Sequence, residues 1–198
     1  MPSFEVRPVV LEGRIVRLEP LSLDHAAALA EAGSDPSVFR WFAGRPAPSA
    51  GFRAWIEMAL DEQARGVSLP FATIDTRTGR VVGSTRFMNI VPAHLRVEIG
   101  STWLTPTAQR TGANREAKFL MLRHAFETWR VRRVEFKTHA LNIQSRTALA
   151  LLGAVEEGTL RKHVVMDDGS PRDSVYFSVV DDEWPALKAR LAAGLGLL

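Results

Sequence analysis

A chain of 198 residues, 46% hydrophobic and 24% charged, can bury a core of its own and has the balance of a soluble globular protein. It has no Cys, which excludes disulfides, thiolate catalysis and Cys-held metals. Its net charge of +3 is spread without a basic run or an aromatic–basic stripe, which argues against a nucleic-acid partner. Met1 to Val10 lacks the apolar core of a signal peptide, and no stretch is long enough to span a bilayer. A cytoplasmic protein with no membrane partner is therefore expected.

Ile15 to Leu18 reads as a first strand closed by Pro20. Ser22 is placed to cap a helix starting near Leu23, with Ala26, Leu29 and Ala30 inward. Asp35-Pro36 opens a short turn or helix carrying Phe39, Trp41 and Phe42, and residues 43–48 read as a loop. A helix from about Ser49 to Arg65 turns Phe52, Trp55, Ile56 and Leu60 inward and stops at Gly66. Leu69 to Ile74 and Arg80 to Ile90 form a hairpin around Asp75–Gly79.

Val97 to Leu104 reads as a mostly buried strand in which Gly100 marks a bulge or a close backbone approach, and Pro106 ends it. Past Asn114 the spacing becomes helical. Phe119, Leu122, Phe126 and Trp129 form one apolar stripe, Ala117, Leu120, Met121 and Ala125 an adjacent one, and Glu116, Arg123, Glu127 and Arg130 face outward. Arg133 to His139 alternates as a strand, and a helix from about Ile143 to Leu152 ends at Gly153. Ala154 to Val165 and Arg172 to Val180 form a second hairpin, and a last helix starts near Asp181. With no repeat or linker, residues 1–198 read as one α/β domain with a mixed sheet.

The strand-to-helix junction carries the chemistry. Gln109 to Asn114 would present free main-chain N–H groups at the positive end of a helix, which suits a phosphate. Gly112 permits close approach, and Arg110 and Arg115 add charge. Taken alone, the same residues also describe an ordinary loop. The five His residues show no metal-ligand spacing, so no metal is expected.

Gln109-Arg110-Thr111-Gly112-Ala113-Asn114 resembles the acyl-CoA-binding motif of the GNAT superfamily, Gln/Arg-x-x-Gly-x-Gly/Ala, and departs from it at Asn114. More specifically, the chain resembles the branch containing the RimJ/RimL-type ribosomal-protein N-terminal acetyltransferases. That likeness rests on Leu11–Leu21, Asn142–Arg146 with Leu152-Gly153-Ala154, Glu157–His163, Asp168-Gly169, Arg172-Asp173-Ser174 and Glu183-Trp184. It implies the GNAT acyl-CoA N-acyltransferase fold, class α/β (α+β): a mixed, mostly antiparallel sheet of about seven strands, with splayed central strands and flanking helices. It also implies an acetyl-CoA-dependent N-acetyltransferase. The acetyl group would pass to a primary amine by direct attack in a ternary complex, the acceptor being a protein N-terminus or a small molecule. A homodimer is a further implication.

By the same resemblance, the main chain of Gln109, Arg110, Thr111, Gly112, Ala113 and Asn114 holds the diphosphate. Backbone near Trp103 and Leu104 pairs with the cofactor's pantetheine arm. Asn142 also contacts that arm, and Ser145 lies near the sulfur, where its hydroxyl would protonate the leaving thiolate. Read from the residues alone, Asn142 caps a helix and Ser145 belongs to its first turn, which is compatible with both roles. Glu98 is the first candidate for a base that deprotonates the acceptor, with a salt-bridged strand carboxylate as the alternative; Glu135 and His139 are weaker candidates. Tyr176 reads as a core or substrate-side residue. Arg161, His163, Arg172 and Asp173 flank the last hairpin, which borders the acceptor cleft in this fold, and Trp41 and Phe42 either line its entrance or pack in the core. The alternative function is a non-catalytic acyl-CoA-binding regulatory protein. No Gly-x-Ser-x-Gly elbow supports a covalent acyl-enzyme, and no nucleotide-binding glycine motif is present.

Overall fold

Side chains alternate across a strand, so a strand apolar at every position must be covered on both faces. Leu69–Asp75 shows this: Leu69 and Phe71 enter one hydrophobic cluster, Ala72 and Ile74 the other. The computed structural model describes residues 4–44, 46 and 51–196. Its strands are β1 (Leu11–Glu12), β2 (Val16–Pro20), β3 (Leu69–Asp75), β4 (Val81–Val91), β5 (Arg96–Leu104), β6 (Arg133–His139), β7 (Val155–Val165) and β8 (Pro171–Val180). They form one sheet in the order β1-β2-β3-β4-β5-β6-β8-β7, and every neighbouring pair is antiparallel except β5 and β6. Helices α1 (Ala26–Ala32) and α2 (Gly51–Ala64) cover one face. Helices α3 (Ala113–Arg123), α4 (Ile143–Leu152) and α5 (Trp184–Leu195) pack on the other.

The expected architecture is present, with differences of local origin. The sheet has eight strands rather than seven, because Leu11–Glu12 pairs with Arg17 and Leu18. The helix expected near Leu23 begins as a 3-10 turn, Leu23–His25, and buries Leu29 and Ala32 while Ala30 is exposed. Ser49 and Ala50, at the expected start of α2, lie outside the described residues, as do Arg45, Ala47 and Pro48 of the preceding loop. The central helix does not run regularly to Trp129. It becomes a π turn over His124–Thr128, and the extra residue in that turn keeps both Phe126 and Trp129 in the core.

Glu116 does not face outward. Its carboxylate accepts from the main-chain nitrogens of Arg14 (3.0 Å), Ile15 (2.6 Å) and Val16 (2.7 Å). The turn wraps so closely that a Cβ on Gly13 would fall 2.4 Å from Glu116 Oε2. Three amide donors compensate the buried charge and tie the β1–β2 turn to the first turn of α3.

The junction of β5 and β6 positions the site. The two strands pair at Arg96 with Arg133, Val97 with Val134 and Glu98 with Glu135, and no further. On its other side β5 stays with β4 as far as Leu104, through an irregularity at Ser101, where φ is +47°. A wedge therefore opens between β5 and β6 beyond Glu98, at the carboxyl ends of two parallel strands.

Candidate active site

The loop after β5 leads to the helix start. Thr105 Oγ1 accepts from Ala108 N, forming a 3-10 turn over Pro106–Ala108. The chain then turns through left-handed conformations at Arg110 (φ +62°) and Gly112 (φ +95°). The amide of Gln109 is taken by the carbonyls of Thr105 and Pro106, and that of Ala113 reaches Thr111 Oγ1 at 3.4 Å. The amides of Arg110, Thr111, Gly112, Asn114 and Arg115 have no hydrogen-bond acceptor among the described residues. They cluster at the N-terminus of α3, where the helix dipole is positive. The main-chain amide donors fit a diphosphate, whereas the buried side-chain oxygen of Asn114, an acceptor without a partner among the described residues, does not add to them.

The wedge begins beside this loop. The carbonyl of Trp103 lies on the β4 side, where a Cβ on Gly83 would fall 2.1 Å from it. Alternation along β5 then turns the main chain of Thr102 and Leu104 toward the wedge. The Trp103 ring packs away from the opening, 5.0 Å from Phe39 and 5.7 Å from Phe52. Leu104 O accepts from Gln109 Nε2 (3.1 Å), and Gln109 Oε1 from Gln144 Nε2 (3.1 Å). Gln109 thus spans from the end of β5 to α4 by its side chain, while its own amide is occupied, unlike those that follow. On α4, Asn142 Oδ1 accepts from Ser145 N at 3.1 Å, so the cap read from sequence forms. Ser145 is half-buried, and its hydroxyl has no partner among the described residues.

Sequence reasoning missed Lys118. Its side-chain nitrogen is buried against β4 and β5, 2.6 Å from Thr102 Oγ1 and 3.4 Å from Thr85 Oγ1, and lies 6.0 Å from the centre of the Phe136 ring on β6. Burial pushes its pKa down to about 7. The signal was available: Lys118 falls in line with Met121, Leu122 and Ala125, a stripe otherwise apolar.

Polar residues of β5, β6 and β8 gather where these strands adjoin. Glu98, 2% exposed, accepts from Asn89 Nδ2 at 2.8 Å and lies 3.6 Å from Lys137 Nζ. Glu135 is held by Arg96 (3.2 Å) and Arg133 (2.8 Å). The Tyr176 hydroxyl is pushed above its ordinary pKa by burial and by the charges of Glu98 and Glu135. Its ring lies 5.9 Å from Lys137 Nζ and 5.7 Å from the ring of His163. The His139 ring lies 4.7 Å from that of Trp41, tilted by 56°, and burial with the nearby Arg172 charge keeps it below its ordinary pKa. Arg172 is buried, donates to Trp41 O at 3.2 Å, and its Nε has no partner among the described residues. Asp173 accepts from Lys162 N, Arg161 is exposed, and Phe42 packs against Phe39 in the α1–α2 core.

A family model described as an acetyltransferase (GNAT) domain matches residues 16–155. The chain belongs to the GNAT acetyltransferases. Among solved GNAT structures it is similar to a GCN5-related N-acetyltransferase from Brucella melitensis, at 38% identity and a TM-score of 0.90, over 98% of this chain and 88% of that one. A probable acetyltransferase of the GNAT family from Chromobacterium violaceum is similar at 28% identity and a TM-score of 0.84, over 93% and 92% of the two chains. RimJ from Mycobacterium smegmatis, solved in complex with CoA-disulfide, shares the fold at 24% identity and a TM-score of 0.79, over 94% and 91%. No curated protein matches the sequence at a significant level.

Proposed function

We propose that this GNAT protein transfers an acetyl group from acetyl-CoA to a primary amine by direct attack in a ternary complex. The observation that carries the reading is the set of amides without an acceptor among the described residues, those of Arg110, Thr111, Gly112, Asn114 and Arg115, beside the wedge between β5 and β6. When bound, acetyl-CoA supplies a thioester whose carbonyl carbon an amine can attack. The loop amides, that of Asn114 among them, grip the diphosphate, and Arg110 and Arg115 add attraction. Main-chain groups of Thr102 and Leu104 pair with the pantetheine arm as a missing strand would, and Trp103 holds their register. Asn142, its Oδ1 engaged in the cap, offers its side-chain nitrogen to the arm, and Ser145 offers its free hydroxyl near the sulfur.

On the acceptor side, an ammonium must lose a proton before its nitrogen can attack. Glu98 takes that proton, and its near-complete burial favours a relay through water over direct contact. Tyr176, His139 and Arg172 line the approach. The likeness to the RimJ/RimL branch supports a protein N-terminus as acceptor, with small-molecule amines as the competing class, and supports a homodimer in the cytoplasm.

Coenzyme A should raise the melting temperature, since a ligand at 100 times its Kd stabilises by about 2.7 kcal/mol. A screen of peptide N-termini and small amines should then release thiol with one class. Glu98→Gln should lower that turnover by about 100-fold with cofactor affinity unchanged. Unchanged turnover removes Glu98 as base. Coenzyme A binding without acetylation of any amine identifies the acyl-CoA-binding regulator instead, and absence of binding overturns the reading.

A further inference from the structure

Lys118 belongs to no part of the scheme above, yet its nitrogen lies against β5 where that strand borders the wedge. It projects from α3, one turn beyond the free amides, and its nitrogen touches Thr102 on the β5 margin. Opposite lies Phe136, the residue of β6 that follows the last pair with β5. Its polar contacts among the described residues are the hydroxyls of Thr102 and Thr85, and no carboxylate is paired with it. A lysine with no counter-ion, at the fork of the two strands, is costly to the fold unless it has something to do.

We infer that Lys118 is the acid of the transfer, giving a proton from its Nζ to the sulfur that leaves the acetyl group. The inference rests on the proposed binding of acetyl-CoA in the wedge. In the step, the acceptor nitrogen uses its lone pair to bond the acetyl carbon, the C–S bond breaks, and its electron pair stays on sulfur. Lys118 passes one proton to that sulfur, leaving free thiol and a neutral amine. The surplus proton of the acceptor goes to Glu98 or water, and Lys118 is reprotonated from solvent after the thiol departs. No other reactant is needed.

Two features suit Lys118 to this. Its pKa of about 7 lies below the ~8.5 of an ordinary thiol, so transfer to a thiolate runs downhill. Thr102 fixes the position of the nitrogen, and Thr102 is itself anchored by Thr85 (2.7 Å) and by Gly100 O (3.3 Å). Ser145 then orients the arm rather than supplying the proton.

The test compares Lys118→Met, of similar length and without a proton to give, with Ser145→Ala. Coenzyme A binding, measured by calorimetry, should persist in both. In the wild type, nitrogen NMR of the lysine side chains should show one amine losing its proton near pH 7, and adding coenzyme A should move that titration because the sulfur lies beside it; in Lys118→Met that signal should be absent. Lys118→Met should also lose about 100-fold in kcat and the alkaline fall of its pH profile, while Ser145→Ala keeps that fall. A lysine titration that coenzyme A does not move, or a pH profile unchanged in Lys118→Met, overturns the assignment of Lys118. Loss of coenzyme A binding by the wild type would instead overturn the cofactor reading on which it rests.

Discussion

Glu116 and Lys118 stand two residues apart on α3, both almost fully buried, and their surroundings give them opposite meanings. Glu116 has its charge met by three amides, so it holds a turn in place. Glu116→Ala would strand those donors and should cost about 3 kcal/mol in denaturant unfolding, with Glu116→Gln costing less because one oxygen remains. Lys118 has only hydroxyls, and burial lowers its pKa from the ordinary 10.5 to about 7. Below pH 7 the ammonium is charged whether the chain is folded or not, and its burial opposes folding in full. Between about 7 and 10.5 the unfolded chain binds a proton that the folded chain lacks, so stability rises with pH through that window. Lys118→Met should therefore be more stable than the wild type at pH 6, with the advantage shrinking toward pH 10 in parallel denaturation curves.

At the scale of elements, the loop before α3 depends on Gly112. At φ +95° a side chain is strained, and a Cβ there would also meet Ile15 Cδ1 at 3.0 Å. Gly112→Val should destabilise by about 1–3 kcal/mol and should weaken coenzyme A binding beyond what that loss explains, because the amides on either side move with the strain. Calorimetric titration at a temperature where the variant is folded checks this. The cap of α4 is simpler: Asn142→Ala removes the acceptor for Ser145 N and should cost about 1 kcal/mol in thermal unfolding.

Across the whole molecule, three residue pairs join β5 to β6, supplemented by the ion pairs Arg96–Glu135 and Glu98–Lys137, and the β6-β8-β7 half of the sheet is further held through the helices. Amide exchange should be fast at Arg110–Arg115, where donors are unpaired, and slow at Val97 and Val134 inside the paired segment. Added coenzyme A should slow exchange at Arg110–Arg115 and along Thr102–Leu104 together. Protection of the loop alone would mean that the diphosphate binds but the arm does not enter the wedge.

Much of this was written in the order of residues. The period of the apolar positions gave the strands from Leu69 to Ile90, the helix Ile143–Leu152 and its stop at Gly153, because burial on one face leaves a repeat that needs no neighbour to be read. Gly112 and the residues around it gave the left-handed turn into α3, because backbone freedom is a local property. Other features depend on contacts distant in sequence. The burial of Glu116 depends on a turn about a hundred residues earlier, and the wedge on where β6 ceases to follow β5. In one dimension Lys118 is a lone charge in an apolar stripe, and Glu98 reads equally as a base or as a salt-bridged strand carboxylate. Only packing, which decides which charges lose their water, made one a low-pKa lysine at the strand fork and the other a carboxylate shared by Asn89 and Lys137.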